Sequence, residues 1–332
     1  MAKKFDFIAI GDIVTDAFIK LESADVHNDE AKAREELCLS FGDKIPYEFV
    51  SVVPAVGNCA NAAVAAARLG LSTALITNQG DDDIGKAHTE TLKHENISTD
   101  FVVNQPGKIS NYHYVLWFES DRTILVKHQK YDYSLPDIDD PKWIYLTSLS
   151  EYTLDFHEKI ADYLDAHPTV KLAFQPGTFQ MQFGKEKLAR IYKRSDAFFC
   201  NTDEARRILE TKEEDAVKLA KSIATLGPKL VVVTDGPKGA YALDTIANKT
   251  LFMPPYPDPR PPYDRTGAGD AYSSTITAAL AIGETLETAL LWAPINSMSV
   301  VQQIGARAGL LDRKQIELYL NSAPADYKPR QI

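Results

Sequence analysis

The stretch RTGAGDA, residues 265–271, opens a long predicted helix late in the chain, and Gly267, Ala268, Gly269 and Asp270 carry its chemistry. The glycines allow a tight turn with consecutive N–H groups, and the helix directs its positive end to the same place. Such a loop is an anion hole suited to a phosphoryl group in transfer. Asp270 can accept a proton from a hydroxyl that attacks phosphorus. The alternative is an acidic residue that only stabilises the helix N-terminus.

Before this helix, the chain alternates short apolar strands with helical stretches. The predicted strands include 5–10, 73–77, 143–147, 172–175, 197–200 and 230–234, and the predicted helices include 61–69, 84–94, 153–166, 185–193, 203–209 and 215–226. This alternation implies a parallel sheet with helices on both faces. In such sheets the ligand lies beyond the carboxyl ends of the strands. The charged, weakly periodic residues 22–46 are expected to be a peripheral excursion from this core.

The composition excludes several classes of protein. The 332 residues include 36 Lys and Arg against 46 Asp and Glu, a net charge of −10, which argues against a general nucleic-acid binder. Three widely spaced cysteines without a CxxC pair indicate neither a zinc site nor a disulfide framework, and they favour a reduced, cytoplasmic compartment. The chain has no apolar stretch of the roughly 18 residues that a membrane span needs, so no membrane partner is expected.

Residues 80–87, GDDDIGKA, nearly fit the P-loop pattern that binds phosphates. Three aspartates in the loop would repel a phosphate group, and Ala87 has no hydroxyl for a magnesium ion. We therefore expect this loop to be mainly structural.

The TGAGDA motif at the start of a late helix resembles the second signature of the ribokinase family, also called PfkB carbohydrate kinases. The resemblance runs from Asp6 to about Leu311. It implies an α/β fold, a three-layer α/β/α sandwich with a mostly parallel central sheet and a small β-sheet lid. The expected organisation is one kinase domain over residues 1–332, with the lid formed by about 17–52 and 102–130.

Residues near the amino terminus carry the implied acceptor site. The stretch 57–70, GNCANAAVAAARLG, resembles the family's first signature, and the resemblance implies that Gly57, Asn58 and Asn61 bind the substrate. Val56 stands where the family has the first glycine of its lid hinge. Asp16, after the first strand, is expected to receive substrate hydroxyls, since one carboxylate can accept two of them. Alone, Asn61 is equally an ordinary residue at a helix N-terminus, and Asp16 a solvated loop residue.

The resemblance also implies a nucleotide site and its ions. ATP and Mg²⁺ are the expected cofactors, with K⁺ as an additional candidate. Glu204 is expected to hold Mg²⁺ through water, which suits an ion that keeps several waters. Asp264 is the candidate ligand for a monovalent cation. The residues implied in nucleotide binding are Asn201, Glu204, Thr234, Gly236, Gly239, Thr266 and Asn296.

The resulting expectation is an ATP- and Mg²⁺-dependent kinase that phosphorylates a hydroxyl of a small sugar. One alternative is a nucleoside kinase, because the lid strand 111–117, NYHYVLW, is rich in aromatic residues that can stack on a base. Those aromatics can equally pack the lid against a dimer mate, and a homodimer through the lid is expected. A sugar-phosphate acceptor is a further alternative if Arg122 and Lys127 are more than solvated edge charges. The last alternative is a non-catalytic ligand-binding protein of the same fold.

Overall fold

The computed structural model describes residues 4–29, 34–119 and 121–332. Its strands are β1 (Phe7–Ile10), β2 (Val14–Leu21), β3 (Asp25–Asp29), β4 (Arg34–Cys38), β5 (Tyr47–Val56), β6 (Thr73–Gly80), β7 (Val102–Gln105), β8 (Tyr112–Phe118), β9 (Asp121–Leu125), β10 (Trp143–Leu146), β11 (Lys171–Phe174), β12 (Ala197–Asn201), β13 (Leu230–Thr234), β14 (Ala240–Asp244), β15 (Lys249–Met253) and β16 (Arg330–Gln331). Its helices are α1 (Asn58–Arg68), α2 (Asp83–His94), α3 (Leu154–Ala166), α4 (Thr178–Phe183), α5 (Ala189–Arg194), α6 (Thr202–Leu209), α7 (Ala216–Ala224), α8 (Ala268–Ile282), α9 (Leu286–Val300) and α10 (Arg313–Asn321).

The main sheet has the strand order β16-β15-β14-β13-β12-β11-β10-β1-β6-β7. The strands from β13 to β7 are parallel, and β14, β15 and β16 extend that sheet in antiparallel fashion at one edge. This is the mostly parallel sheet that the strand–helix alternation predicts. Because parallel strands share one direction, the loops after β1, β10, β11, β12 and β13 meet at one edge of the sheet.

Helices cover both faces of the sheet, which explains why its central strands are apolar throughout. Phe7 and Ala9 of β1 pack into the core beneath α1, α8 and α9, whereas Ile8 and Ile10 pack into the opposite core with α3, α5 and α7. Successive side chains of a strand point to opposite faces, so a strand covered on both sides is apolar at every position. In the described part of the chain, none of the helices combines the length and the apolar character needed to cross a membrane.

The lid is a separate four-stranded sheet in the order β5-β2-β8-β9, with the hairpin β3-β4 beside it. Strands β2 and β8 pair in parallel, and the other neighbours are antiparallel. The predicted second lid segment, which begins at 102, is too long at its start. Residues 102–105 form β7, which pairs with β6 of the main sheet. Within the predicted lid segments, residues 30–33 and 120 lie outside the described residues.

The structure differs from the sequence prediction between β11 and β12. The predicted helix over 185–193 begins only at Ala189, and α4 precedes it. Gly184 ends α4 with a φ of +85°, a conformation that glycine adopts without steric cost. The helix α10 and the edge strand β16 were absent from the prediction. Residues 22–46, expected as an excursion, contain the hairpin β3-β4.

The loop that nearly fits a P-loop is organised by the carboxylate of Asp82. That carboxylate caps α2 by accepting the N–H of Gly85 at 2.8 Å, and it accepts both the N–H and the hydroxyl of Ser110, at 2.8 and 2.6 Å. Burial raises the pKa of Asp82, but the hydrogen bonds from Ser110 and Gly85 outweigh this effect and leave the pKa below its usual value. Asp82 thus ties the start of α2 to the segment that leads into the lid strand β8.

We expect Asp82→Ala to lower the free energy of unfolding by about 1–2 kcal/mol at pH 7, because a helix cap is lost. Since the folded-state pKa of Asp82 is lowered, its contribution is present above the unfolded pKa of about 4 and is lost as the pH falls through the folded pKa. Urea unfolding at pH 7 and at pH 3 measures both effects. Asp81→Ala, at an exposed neighbour, is the control; an equal loss in both variants would contradict the capping role.

Candidate active site

The N-terminus of α8 is the centre of the cleft between the main sheet and the lid. Gly267 is its N-cap with a φ of +81°, and a Cβ at this position would overlap the side chain of Ala306. A glycine is therefore required by both the backbone conformation and the space available. The first turn of the helix contains Ala268, Gly269 and Asp270, as the sequence predicts.

The turn before α8 is held by the buried carboxylate of Asp264. Its Oδ1 accepts the N–H and the hydroxyl of Thr266, at 2.9 and 2.6 Å, and its Oδ2 accepts the N–H of Gly305 at 2.8 Å. These bonds join the turn to the segment after α9. The structure therefore gives Asp264 and Thr266 a role in shaping the anion-hole loop. The role of Asp264 toward a monovalent cation stays a prediction.

The carboxylate of Asp270 is buried and held by three amides. Its Oδ1 accepts from Asn58 Nδ2 at 2.8 Å and from Gln175 Nε2 at 3.1 Å, and its Oδ2 accepts from Asn61 Nδ2 at 2.9 Å. Burial raises the pKa of Asp270 above its usual value, and the amides of Asn61, Gln175 and Asn58 limit that rise. A carboxylate with a raised pKa that is still held in its ionised form by donors is suited to general-base chemistry.

Gln175 is a site residue that the sequence analysis missed. Its Oε1 accepts hydrogen bonds from the hydroxyl of Tyr145 and from Ser273 Oγ, the latter at 3.1 Å. With its oxygen occupied, the amide can only turn its NH₂ group toward Asp270. Its signal in the sequence was a polar residue directly after the buried strand β11, at the carboxyl edge of the sheet.

The predicted acceptor residues gather on the lid side of Asp270. Gly57 caps α1 with a φ of +99°, and a Cβ there would lie 2.7 Å from the carbonyl oxygen of Asp12. This close approach sets Asn58 and Asn61 opposite Asp270. Asp16 is buried on β2, and its Oδ1 lies 3.5 Å from Nδ1 of His113 on the neighbouring strand β8.

Strand β5 ends at Val56, the residue in place of the hinge glycine. Val56 is buried and pairs with Val14 of the lid sheet, and the preceding Ala55 has a φ of +56°. The guanidinium of Arg307 donates to the carbonyl of Ala55 at 3.0 Å. The junction between β5 and α1 is therefore a bent segment that a neighbouring arginine holds in place.

A second pair of acidic and imidazole groups lies beside the acceptor residues, and sequence reasoning missed it. His128 Nδ1 lies 3.1 Å from Oδ2 of the buried Asp12, whose Oδ1 accepts from the hydroxyl of Tyr133 at 2.7 Å. The ring centroid of His128 is 5.4 Å from that of His113 and 5.4 Å from that of Phe179. The acceptor side is thus lined by aromatic and imidazole rings as well as by carboxylates.

A cavity of about 260 Å³ lies on the other side of the α8 N-terminus. The predicted nucleotide residues Thr234, Gly236 and Gly239 line it, together with Ala268 and Gly269 of the anion-hole loop. The remaining walls come from the end of β15, the Pro-rich loop, α8 and the C-terminal part of α9 with the residue after it. They are largely apolar and include Met253, Pro254, Pro255, Tyr256, Pro262, Tyr272, Pro294, Met298 and Val301. The N-terminus of α8 therefore separates a polar acceptor side from a largely apolar cavity.

Asn201 and Glu204 form the N-terminus of α6, after the central strand β12. Asn201 Oδ1 accepts the N–H of Glu204 at 2.8 Å, and Glu204 Oε2 accepts the N–H of Asn201 at 2.9 Å. Burial raises the pKa of Glu204, and the negative charge of Asp270 raises it further. Two carboxylates that repel each other across a cleft suit a hard divalent cation between them. Within the described ranges, no group of three or more His, Cys, Asp or Glu residues is placed to hold a metal ion. The role of Glu204 toward Mg²⁺ stays a prediction.

Residues 39–313 match the family model described as pfkB family carbohydrate kinase. The chain belongs to the pfkB family of carbohydrate kinases.

Among its relatives is the ribokinase of Bacillus subtilis, which is 25% identical over 279 residues, 80% of this chain and 87% of the relative. Solved structures of the same fold include a ribokinase from Arabidopsis thaliana complexed with ribose and ATP, with a TM-score of 0.78, 19% identity and coverage of 96% of this chain and 99% of that one. They also include a nucleoside kinase from Burkholderia thailandensis in complex with inosine, with a TM-score of 0.75, 16% identity and 98% coverage of both chains. The ribokinase fold expected from the sequence is confirmed.

In this pfkB kinase, Asn296 does not line the cavity of about 260 Å³, although the sequence predicts it in the nucleotide site. Asn296 is fully buried; its Nδ2 donates to Thr275 Oγ1 at 2.8 Å, and its Oδ1 accepts the N–H of Leu311 at 2.9 Å. Both ends of the amide are thus occupied by contacts among α8, α9 and the segment before α10. Pro294 and Ser297 of the same helix line the cavity instead.

We expect Asn296→Ala to lower the free energy of unfolding by about 2 kcal/mol, because the buried N–H of Leu311 loses its acceptor. The KM for ATP should change by less than about twofold, since the side chain lies outside the cavity. Thermal or urea unfolding and steady-state kinetics measure the two quantities. A large rise in KM with unchanged stability would return Asn296 to the nucleotide site.

Proposed function

We propose that this kinase transfers the γ-phosphoryl group of ATP to a hydroxyl of a small sugar-like acceptor. One observation carries the proposal: a buried carboxylate, Asp270, stands at the positive end of α8 between a polar pocket under the lid and the apolar cavity. A base and an anion hole in one helical turn are what in-line phosphoryl transfer requires. The likeness to ribokinase supports this donor and this class of acceptor.

In the proposed mechanism, the oxygen of the acceptor hydroxyl attacks the γ-phosphorus of ATP while Asp270 accepts the hydroxyl proton. The bond from this phosphorus to the β–γ bridging oxygen breaks, and ADP leaves. The N–H groups of residues 267–270 donate to the oxygens of the transferring group, where negative charge develops. Asn58, Asn61 and Gln175 hold the carboxylate in one orientation. Mg²⁺ bound through water near Glu204 would neutralise charge on the phosphates. Thr234, Gly236 and Gly239 bind the nucleotide, and the lid excludes water, which would compete as an acceptor.

A nucleoside is the second candidate acceptor. The rings of His113, His128 and Phe179 gather beside Asp16 and offer surfaces for stacking on a base. Among the aromatic residues of the stretch 111–117 that suggested this alternative, Tyr112 and Tyr114 alternate with His113 on β8 and so point away from these three rings. Trp117 shares the face of His113 and packs against Tyr263. The nucleoside kinase bound to inosine supports this candidate through its fold.

The homodimer through the lid is also a proposal. Val50, Val52, Tyr114 and Leu125 are all exposed on the lid sheet, by 45%, 54%, 49% and 50%. The strand register places Val52 and Tyr114 on either side of Ala17, and Leu125 opposite Tyr114, so these side chains share one face. An apolar sheet face of this kind is suited to packing against a second copy of itself.

We expect Asp270→Asn to lower kcat by about 10²–10⁴-fold, because the amide cannot accept the proton of the acceptor. ADP release from Mg-ATP is measured with ribose, fructose, 2-keto-3-deoxygluconate, fructose 6-phosphate, adenosine, cytidine and inosine. ATP binding, followed by calorimetry, should persist in the variant. Asp203→Asn, an exposed carboxylate on α6, is the control. Full activity of Asp270→Asn would contradict the role of Asp270 as base.

The pH profile of the reaction tests the same role. The pKa of Asp270 is raised by burial, so kcat/KM should fall as the pH decreases through that raised value, where the base becomes protonated. Gln175→Leu removes one donor to the carboxylate, so the pKa should rise further and the acid limb should move to higher pH. Ser273→Ala, which leaves the amide of Gln175 in place, should move it less. An acid limb that is identical in all three proteins would mean that another group titrates.

A further inference from the structure

Polar side-chain atoms without a hydrogen-bond partner are concentrated under the lid. Among the described residues, the buried atoms of this kind are Asp16 Oδ1, Asn61 Oδ1, His113 Nε2, Arg122 Nε, Thr147 Oγ1 and the hydroxyl oxygen of Tyr272. The first four belong to residues around the acceptor side of Asp270, and Asp16 Oδ1 has there a 3.5 Å contact with His113 Nδ1 that is too long for a good hydrogen bond. Buried polar groups in folded proteins nearly always have partners. A cluster of unpartnered ones at the edge of a cleft indicates that a ligand supplies the missing hydrogen bonds.

The strand register places Arg122 on the inner face of the lid. Arg122 of β9 stands opposite Trp117 of β8, and residues directly opposite in an antiparallel pair share one face. His113, two pairs of residues earlier on β8, shares that face by alternation. The ring of Trp117 packs edge-on against Tyr263, with centroids 5.0 Å apart, next to the anion-hole turn. This face of the lid is therefore turned toward the N-terminus of α8.

Electrostatics lead to the same position for Arg122. Burial raises the pKa of Asp270, and the amides of Asn61, Gln175 and Asn58 lower it. The positive charge of Arg122 lowers this pKa as well. The guanidinium is therefore close enough to the base to act on its charge. Its ion pair with Asp121 is long, 3.5 Å, and the carboxylate of Asp121 is 75% exposed, so this pair satisfies the guanidinium poorly.

The four unpartnered atoms define the chemistry of the missing ligand. The oxygens of Asp16 and Asn61 accept hydrogen bonds, so they suit the hydroxyls of a polyol. His113 Nε2 accepts or donates according to the tautomer of the ring, so it suits a further hydroxyl. The guanidinium of Arg122 only donates and is always charged, so it suits an anionic oxygen. A neutral sugar would leave this partly buried cation with its long ion pair to the exposed Asp121, which satisfies the charge poorly.

We propose that the acceptor is an anionic polyol, a sugar acid or a sugar phosphate, whose carboxylate or phosphate pairs with Arg122. This inference rests on the proposed function and narrows its substrate class. Asp16 and Asn61 receive the hydroxyls, Asp270 faces the hydroxyl that is phosphorylated, and Arg122 holds the anionic end under the lid. Closure of the lid brings Arg122 over the acceptor, so recognition of the anion and exclusion of water are coupled.

The test compares related acceptors with and without an anionic group. ADP release from Mg-ATP is measured with gluconate against glucose and with fructose 6-phosphate against fructose, in the wild type, Arg122→Gln and Lys127→Gln. Lys127 is an exposed cation that follows β9, so Lys127→Gln removes the same charge without touching the inner face. Thermal unfolding of both variants should match that of the wild type, because neither residue packs in the core.

We expect the wild type to prefer at least one anionic acceptor over its neutral partner by more than about tenfold in kcat/KM. In Arg122→Gln, kcat/KM for that acceptor should fall by about 100-fold, mainly through KM. For neutral acceptors the fall should be at least about tenfold smaller, because they lose only the effect of the Arg122 charge on Asp270. In Lys127→Gln, kcat/KM should change by less than about threefold for every acceptor. Preference for gluconate identifies a carboxylate, and preference for fructose 6-phosphate identifies a phosphate.

Two results would overturn the inference while the kinase stands. One is a wild type that turns over neutral acceptors better than both anionic ones. The other is an equal loss of kcat for neutral and anionic acceptors in Arg122→Gln, which would assign Arg122 to the transferring phosphoryl group. A binding measurement separates this inference from the proposed function. Without ATP, the anionic acceptors should raise the melting temperature of the wild type but not that of Arg122→Gln. The inference would also be contradicted if neither anionic acceptor raised the melting temperature of the wild type.

Discussion

The burial of the Asp270 carboxylate is the constraint on which the rest of the cleft depends. A negative charge removed from water is costly unless dipoles and donors around it compensate for the lost hydration. Here Asn58 and Asn61 come from α1, Gln175 follows β11, and the positive end of α8 lies directly below. These donors reach the carboxylate only when both helices are packed on the carboxyl edge of the sheet. One buried charge therefore fixes the relative positions of elements that are far apart in sequence.

Other acidic residues in this chain stabilise loops and do no chemistry in the proposed mechanism. Asp264 shapes the anion-hole turn through Thr266 and Gly305, and Asp82 links α2 to the segment before β8. In both cases a carboxylate accepts N–H groups that would otherwise lie unpaired in a tight loop. The net charge of −10 thus includes carboxylates that serve the fold as hydrogen-bond acceptors.

The lid has two faces of opposite character. The inner face carries Asp16, His113 and Arg122, whereas the outer face carries exposed apolar side chains such as Val52 and Tyr114. Because neighbouring residues of a strand point in opposite directions, a single stretch such as residues 112–118 supplies both faces. The composition of that stretch is compatible with stacking on a base, with packing in a dimer or with binding of the acceptor. The register of β8 against β2 and β9 decides which of its side chains lie on the inner face and which on the outer face.

The sequence alone was sufficient for the mostly parallel sheet and for the glycine-rich turn that begins α8. Both depend on local patterns: apolar strands alternate with helices, and two glycines precede an aspartate at a helix start, as in residues 267–270. The tertiary structure decided which distant polar groups meet. In the folded chain, Asn296 lies in the core, and the side-chain amide of Gln175 donates to Asp270. Arg122, but not Lys127, lies on the inner face of the lid. The physical reason is that a hydrogen bond or a charge contact depends on direction and distance across the fold, and no local pattern encodes either one.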